Sequence, residues 1–312
     1  MLVTFGETAL RLSPPGAERL ETARRLQVQA DGPESNAAIA ARRLGTPATW
    51  VSRLPDSPLG RRVASELRGY DLDVEVSWGD GRQGLSFFEH GPTPRGDRHV
   101  DDRRDSAATT LTMDDIPVDR VKDAEAAYLT GATPALSTDL AGASARFLKT
   151  AADEGALTAF SVSHRPWLWS GEEAGELLTQ FFSAVDLFVA TEAELAAVLD
   201  REGQPAELAH GVASAHDFEY VAIPRERTCV LWHDATVHEY PNPEVDVTDP
   251  SGRDDAFAGA LVAALLDDHD PQDALKRAIA ARTLAATVPG AVPTVDPESV
   301  GELAERVERP RG

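Results

Sequence analysis

The sequence predicts an α/β fold, a central and mostly parallel sheet with helices on both faces and a small β flap. Three observations predict it. From Ala126 onward, short apolar runs alternate with helical stretches, which builds a parallel sheet covered on both sides. Earlier, short alternating segments are punctuated by Pro14-Pro15-Gly16 and similar turns, the pattern of a flap. Late in the chain, the polar loop Asp246 to Gly252 runs without a break into a small-residue helix, Ala256 to Leu266. In such folds ligands bind at the carboxyl ends of strands, beside loops of this kind.

The elements follow in order. Leu2 to Phe5 is an apolar strand ending at Gly6-Glu7. Residues 8–30 alternate loosely and read as a hairpin-like flap. Asp31-Gly32-Pro33 turns the chain into a helix that ends at Leu44-Gly45, where Gly stops it. Thr49 to Ser52 is a strand and Leu59 to Arg68 a helix. Val74 to Val76, Leu85 to Phe88 and Arg98 to Val100 are expected in the flap sheet, which spans about 8–30 and 80–103 of a single 1–312 domain. Then come strands at 127–130, 157–162, 187–190, 220–223 and 228–231. Between and after them lie helices at 136–153, 174–183, 192–199 and 273–286. The chain end, Arg309 to Gly312, is expected to fray.

Composition narrows the function classes. With 312 residues and 42% apolar content, the chain can bury a large core. The net charge is -22, and lysine occurs only at Lys122, Lys149 and Lys276. An acidic, lysine-poor surface suits high salt, where screening quiets self-repulsion, and it disfavours nucleic-acid binding. The single cysteine, Cys229, lies in an apolar run, so no disulfide forms within the chain. No signal peptide or apolar span long enough for a membrane is evident, and a cytoplasmic location is expected. The histidines show no metal-ligand spacing, so no metal site made by the protein alone is expected. A nucleotide loop of the Gly-x-x-x-x-Gly-Lys type is absent, as is a Gly-x-Gly-x-x-Gly turn.

The loop at 246–255 is the first chemical candidate. Amides at a helix start have no partner within the helix and favour anions, which suits a phosphate or a developing oxyanion. Asp255 at the helix mouth can take a proton from a hydroxyl. Taken alone, the same residues also describe an Asp-rich cap on an ordinary helix. The second candidate is Asp31 to Asn36, where Gly32 permits close approach and Asn36 can donate and accept hydrogen bonds. That too can be a plain helix start.

Asp249, Ser251, Gly252, Asp255, Ala256 and Phe257 resemble the C-terminal signature of the ribokinase-like (PfkB) carbohydrate kinases, Asp-x-Thr-Gly-Ala-Gly-Asp-Ala-Phe. Gly32, Asn36 and Ala38 resemble the family's N-terminal Gly-Gly-x-x-x-Asn-x-Ala. Gly6-Glu7, Leu54 to Gly60, Arg103 with Ser106-Ala107, Arg165 with Leu168-Trp169, and Thr287 to Gly290 look like the 2-keto-3-deoxygluconate kinase branch. The resemblance implies a ribokinase-like fold with a β lid, an ATP- and Mg2+-dependent sugar-acid kinase, and a homodimer through the lid. It makes Asp255 the base and the Gly252, Arg253, Asp254 segment the anion hole. It also makes Gly32, Asn36, Asp249, Arg103 and Arg165 substrate residues, the arginines as carboxylate readers. Glu194 in Thr191-Glu192-Ala193-Glu194 becomes the residue tied to magnesium and phosphates.

Four departures stand out. Arg253 and Asp254 replace Ala and Gly of the signature. Asp254 is expected to strain a backbone that favours Gly and to repel phosphate. The turn Pro224 to Arg227 lacks the usual glycine, and Ile279 stands where Asn is frequent near the adenine. Ser86, Asp101, Ser161 and Ser163 also differ around the sugar. These departures motivate an alternative: a non-catalytic sugar-acid binder or regulatory subunit with an impaired nucleotide site.

Overall fold

The structure, a computed structural model, describes residues 1–308; the chain end expected to fray, Arg309 to Gly312, lies outside them. The first half holds β1 (Leu2–Phe5), β2 (Ala9–Ser13), β3 (Gln27–Asp31), α1 (Pro33–Arg43), β4 (Ala48–Pro55), α2 (Pro58–Arg68), β5 (Asp73–Gly79), β6 (Leu85–Glu89) and β7 (Arg98–Asp102). The middle holds α3 (Val118–Lys122), β8 (Ala126–Thr130), α4 (Thr138–Asp153), β9 (Leu157–Ser161), α5 (Gly171–Leu178), β10 (Leu187–Val189) and α6 (Glu192–Leu199). The last part holds α7 (Pro205–His216), β11 (Tyr220–Pro224), β12 (Thr228–His233), β13 (Thr236–Pro241), α8 (Arg253–Leu266), α9 (Pro271–Ala285) and α10 (Pro297–Arg306).

Among the described residues the strands form two sheets. A nine-stranded sheet runs β13-β12-β11-β10-β9-β8-β1-β4-β5, and a four-stranded lid sheet runs β3-β2-β6-β7. Pairing is parallel from β5 to β11, and only the β11–β12–β13 edge is antiparallel. The parallel strands inside the sheet, all but edge strand β5, are mostly apolar on both sides, as burial on both faces requires. Successive residues divide between two cores. Leu2, Tyr128, Leu187 and Ala222 pack with α1, α8 and α9, while Val3, Leu129, Phe188 and Val221 pack with α4, α5 and α7. This period-two division is what sets helices on both faces.

The small residues of α8 have a packing purpose. A Cβ on Gly259 would lie 2.2 Å from the Ala37 carbonyl oxygen, so α8 and α1 touch backbone to backbone there. That contact fixes the start of α8 against the start of α1. The first turn of α1 is anchored again by Glu34, which is fully buried and accepts from the Thr130 amide, Thr130 Oγ1 and Thr133 Oγ1. Burial pushes the Glu34 carboxyl up to about 7, against those hydrogen bonds.

One sequence expectation needs correction, and α3, α7, α10 and β13 are not among the elements expected from sequence. Val74 to Val76 belongs to the main sheet, because β5 pairs in parallel with β4 from Thr49↔Asp73 to Pro55↔Gly79. It is an edge strand whose outer face is half exposed, so its polar–apolar alternation mimics a flap strand. Helix α7 escaped notice because its Ala-, Gly- and His-rich stretch lacks a strong apolar stripe. Strand β13, an edge strand with three of its six residues polar, escaped for a similar reason.

Candidate active site

A cavity of about 510 Å3 opens at the carboxyl ends of the strands, beneath the lid. Its floor includes Tyr128 from β8, Ser161 and Ser163 at and after β9, Thr191 before α6, and Gly252, Asp254 and Asp255 at the start of α8. Its roof is Arg11, Asp31, Phe88, His99 and Arg103 from the lid strands and the loop after them. Sheet topology thus brings residues more than two hundred positions apart to one space.

Gly252 caps α8 with φ +71, a left-handed conformation that favours glycine. A Cβ there would also sit 1.8 Å from the Ala291 carbonyl oxygen. The preceding loop is tied down by Asp249, which accepts from the Ser251 amide (2.9 Å) and the Gly290 amide (3.1 Å) and pairs with Arg11 at 3.3 Å. Burial alone would raise the Asp249 carboxyl, but the Ser251 bonds, the Arg11 charge and the Gly290 amide hold it below its usual value. Asp249 does not line the cavity; it shapes the loop and joins it to lid strand β2.

Asp255 is the central group. Asn36 Nδ2 donates to Asp255 Oδ2 at 2.9 Å and to Asp31 Oδ1 at 3.1 Å, so one amide orients two carboxylates. Burial drives the Asp255 carboxyl up to about 7, outweighing the Asn36 hydrogen bond and the Arg165 charge, with Asp31 and Asp254 adding to the rise. Neither Asn36 nor Gly32 lines the cavity. A Cβ on Gly32 would lie 2.3 Å from the Glu7 carbonyl oxygen, so Gly32 packs the helix entry. Asp31, which heads the second candidate segment but was given no role of its own from sequence, does face the cavity.

The two arginines behave differently. Arg103 is pinned by Asp101 at 3.0 Å and Glu7 at 3.5 Å, with Ser106 donating to Glu7 at 2.8 Å. Its charge is already matched. Arg165 faces the cavity with no ion pair among the described residues, its guanidinium 5.9 Å from the Trp167 ring centroid. Trp167 in turn donates to Asp101 at 2.9 Å and packs on His99 of lid strand β7 at 4.4 Å between ring centroids. Sequence reading missed Trp167, His99 and Arg11; no motif marks them, and only the closing of lid on sheet brings them together.

Residues 1–297 match the description "pfkB family carbohydrate kinase". The chain belongs to this family of carbohydrate kinases. It is 44% identical to a 2-dehydro-3-deoxygalactonokinase of Haloferax volcanii, over 99% of this chain and 96% of that one. It superposes on a 2-dehydro-3-deoxygluconokinase of Thermotoga maritima with a TM-score of 0.94 and 29% identity, covering 97% of this chain and 98% of the other. It also shares the fold of a putative ribokinase II of E. coli in complex with ATP and Mg2+, with a TM-score of 0.87 and 18% identity over 98% and 99% of the two chains.

In this PfkB kinase the departures from the signature have local explanations. Asp254 lies in helical backbone with no positive φ, so no glycine is needed. Its carboxylate accepts from Arg282 Nε at 2.8 Å, which offsets the charge expected to repel phosphate. The 224–227 turn has no positive φ either, and Asn242 Nδ2 holds it by donating to the Arg225 carbonyl at 2.7 Å and the Glu226 carbonyl at 3.0 Å. Ile279 is fully buried in the core between α9 and the sheet and does not line a groove.

A second groove of about 1060 Å3 lies beside the start of α8, between the β11–β12 turn, the 241–247 segment and α9, with Arg227, Arg253 and Arg282 among its walls. Glu194 faces the main cavity, but both of its oxygens are engaged, Oε2 by the Thr191 amide and hydroxyl and Oε1 by the His164 amide. Among the described residues no group of three or more His, Cys, Asp or Glu side chains is placed to hold a metal ion. No helix among the described residues is long and apolar enough to cross a membrane.

Proposed function

We propose that the protein is an ATP- and Mg2+-dependent kinase of 2-keto-3-deoxy sugar acids, acting on 2-keto-3-deoxygluconate or its C4 epimer 2-keto-3-deoxygalactonate. One observation carries the reading: the Asp255 carboxyl, oriented by Asn36 at 2.9 Å, shares a cavity with Arg165, which has no ion pair among the described residues. The sequence resemblance favours the gluconate form, and the 44% identical relative is named for the galactonate form.

In this account Arg165 takes the substrate carboxylate in two parallel hydrogen bonds. Asp255 accepts the proton of the receiving hydroxyl as its oxygen attacks the terminal phosphorus of ATP. Amides of the Gly252–Asp255 turn donate to the phosphoryl oxygens. Magnesium carried by the nucleotide supplies charge neutralisation. Asn36 and Asp249 serve as positioning residues, and Glu194 holds the Thr191 turn beside the phosphates through its capping bonds. The lid over the cavity excludes water. A cytoplasmic location and a homodimer through the lid sheet, where Val100 is 54% exposed, belong to the same reading. The Arg282 bond to Asp254 and the Asn242 bonds to the 224–227 turn support this reading over a non-catalytic homologue.

The test is phosphoryl transfer from ATP to each sugar acid in molar potassium chloride, with Arg165→Met alongside. Losing a charged bidentate contact of about 1.5–3 kcal/mol should raise KM for the sugar acid roughly 10- to 100-fold and leave KM for ATP nearly unchanged. An equal change in both would remove Arg165 from carboxylate recognition. Transfer to neither acid would sink the substrate assignment.

A further inference from the structure

We infer that the Arg253 side chain is a ligand for the nucleotide's polyphosphate, and that Glu226 is the resting counterion which the polyphosphate displaces. The inference rests on the kinase reading above and assigns a role to a residue the signature does not anticipate.

Arg253 is the first residue of α8, directly after the left-handed Gly252. A cation at that end opposes the helix dipole, whose N-terminus favours negative charge. Its placement therefore needs anions in reach: Asp254 Oδ1 lies 3.9 Å from Arg253 Nε, and Glu226 makes the closer pair. Arg253 Nη1 donates to Glu226 Oε2 at 3.2 Å, and Nη2 pairs with Glu226 Oε1. The fork is bidentate, a geometry that a phosphate accepts as readily as a carboxylate.

Two neighbouring cations are committed elsewhere, while Arg227, exposed on the same groove, has no ion pair among the described residues and is a second cation in reach of the nucleotide. Arg282 is 7% exposed and bound to Asp254 at 2.8 Å. Arg225 pairs with Glu192 at 2.9 Å and with Glu239 at 3.7 Å. Only the Arg253 pair joins a partly buried guanidinium, 22% exposed, to a carboxylate on a hairpin turn that is 76% exposed. An ion pair with one member in solvent is weakly held and readily exchanged.

Position agrees. In an in-line transfer the nucleotide lies on the side of the phosphoryl group away from the acceptor hydroxyl. Asp255 faces the main cavity, whereas Arg253 lines the second groove next to it. A nucleotide whose terminal phosphate meets the Gly252 turn and whose remainder follows that groove passes the Arg253 guanidinium. In a chain with 52 acidic and 30 basic residues, this keeps a cation in reserve by holding it on an exposed carboxylate.

The experiment is calorimetric titration of ATP–Mg2+ and of adenosine into the wild type, Arg253→Gln, Glu226→Gln and the double variant, all in the same molar potassium chloride. Arg253→Gln should weaken ATP about tenfold and leave adenosine unchanged. Glu226→Gln should tighten ATP severalfold, and that gain should vanish in the double variant. ATP affinity unchanged in Arg253→Gln, an equal loss for adenosine, or weaker ATP binding in Glu226→Gln would each overturn the assignment. A wild type that binds adenosine but gains nothing from the phosphates would overturn it too. A wild type that binds neither nucleotide nor nucleoside would instead bring down the kinase reading on which it stands.

Discussion

Asp255→Asn is expected to lower kcat for sugar-acid phosphorylation by about 10^3-fold or more while leaving the melting temperature at pH 8 unchanged or higher. The rate loss follows from removing a general base, an effect of roughly 10^2- to 10^4-fold, compounded by the loss of its placement over the anion site. The stability effect follows from linkage. The Asp255 carboxyl sits near 7 in the folded chain, against 3.8 as its ordinary value, because burial penalises the charge. A raised carboxyl adds stability that is complete below its unfolded value and is lost as pH rises through about 7. At pH 8 the ionised, half-buried group therefore costs the fold stability relative to a neutral one. Asparagine never ionises, so the variant should gain on the wild type between pH 5 and 8 and show little advantage near pH 4. Thermal melts across that range check the sign, and an advantage that grows toward low pH would contradict the assigned environment of Asp255.

Gly252→Ala should be strongly damaging to both stability and rate. A left-handed conformation costs a non-glycine residue roughly 1–2 kcal/mol by itself. The larger effect is steric, since the new Cβ would meet the Ala291 carbonyl oxygen at 1.8 Å and must push apart two loops that Asp249 ties together. The amides of the turn would move with it. A displacement near 1 Å at an aligned site costs about 10^2-fold in rate. We expect a fall in kcat of that size with a lowered melting temperature, and near wild-type values for both would show that the turn relaxes without cost. Serial melts and steady-state kinetics on the same preparation separate the two effects.

The inner sheet was legible because its strands are apolar on both faces and β4, β8, β9 and β10 each lead into a helix. Strand β5 was misassigned because an edge strand, half in water, carries the alternation of a lid strand. The site was legible at Gly252 and Asp255, whose types and spacing answer a local need at a helix start. Asn36 was visible but its use was not: sequence suggested a sugar contact, whereas its amide reaches Asp255 across 219 positions. Arg103 shows the same limit. Its type suits a carboxylate ligand, yet whether the charge is free depends on Glu7 and Asp101, which only the fold brings near. Asp254 reverses the lesson, because a residue that looks damaging in sequence is neutralised by Arg282, 28 positions on in the next helix.

The central claim is that Asp255, held near 7 by burial, is the base for phosphoryl transfer to a sugar acid. The most direct measurement is kcat/KM for 2-keto-3-deoxygluconate and 2-keto-3-deoxygalactonate against pH from 5 to 9, at saturating ATP–Mg2+ in molar potassium chloride. The account predicts turnover of at least one acid, with kcat/KM rising about tenfold per pH unit in acid and levelling above an apparent pKa of about 7. A profile flat through that range, or a limb near 4 that persists in Asp255→Asn, would contradict it.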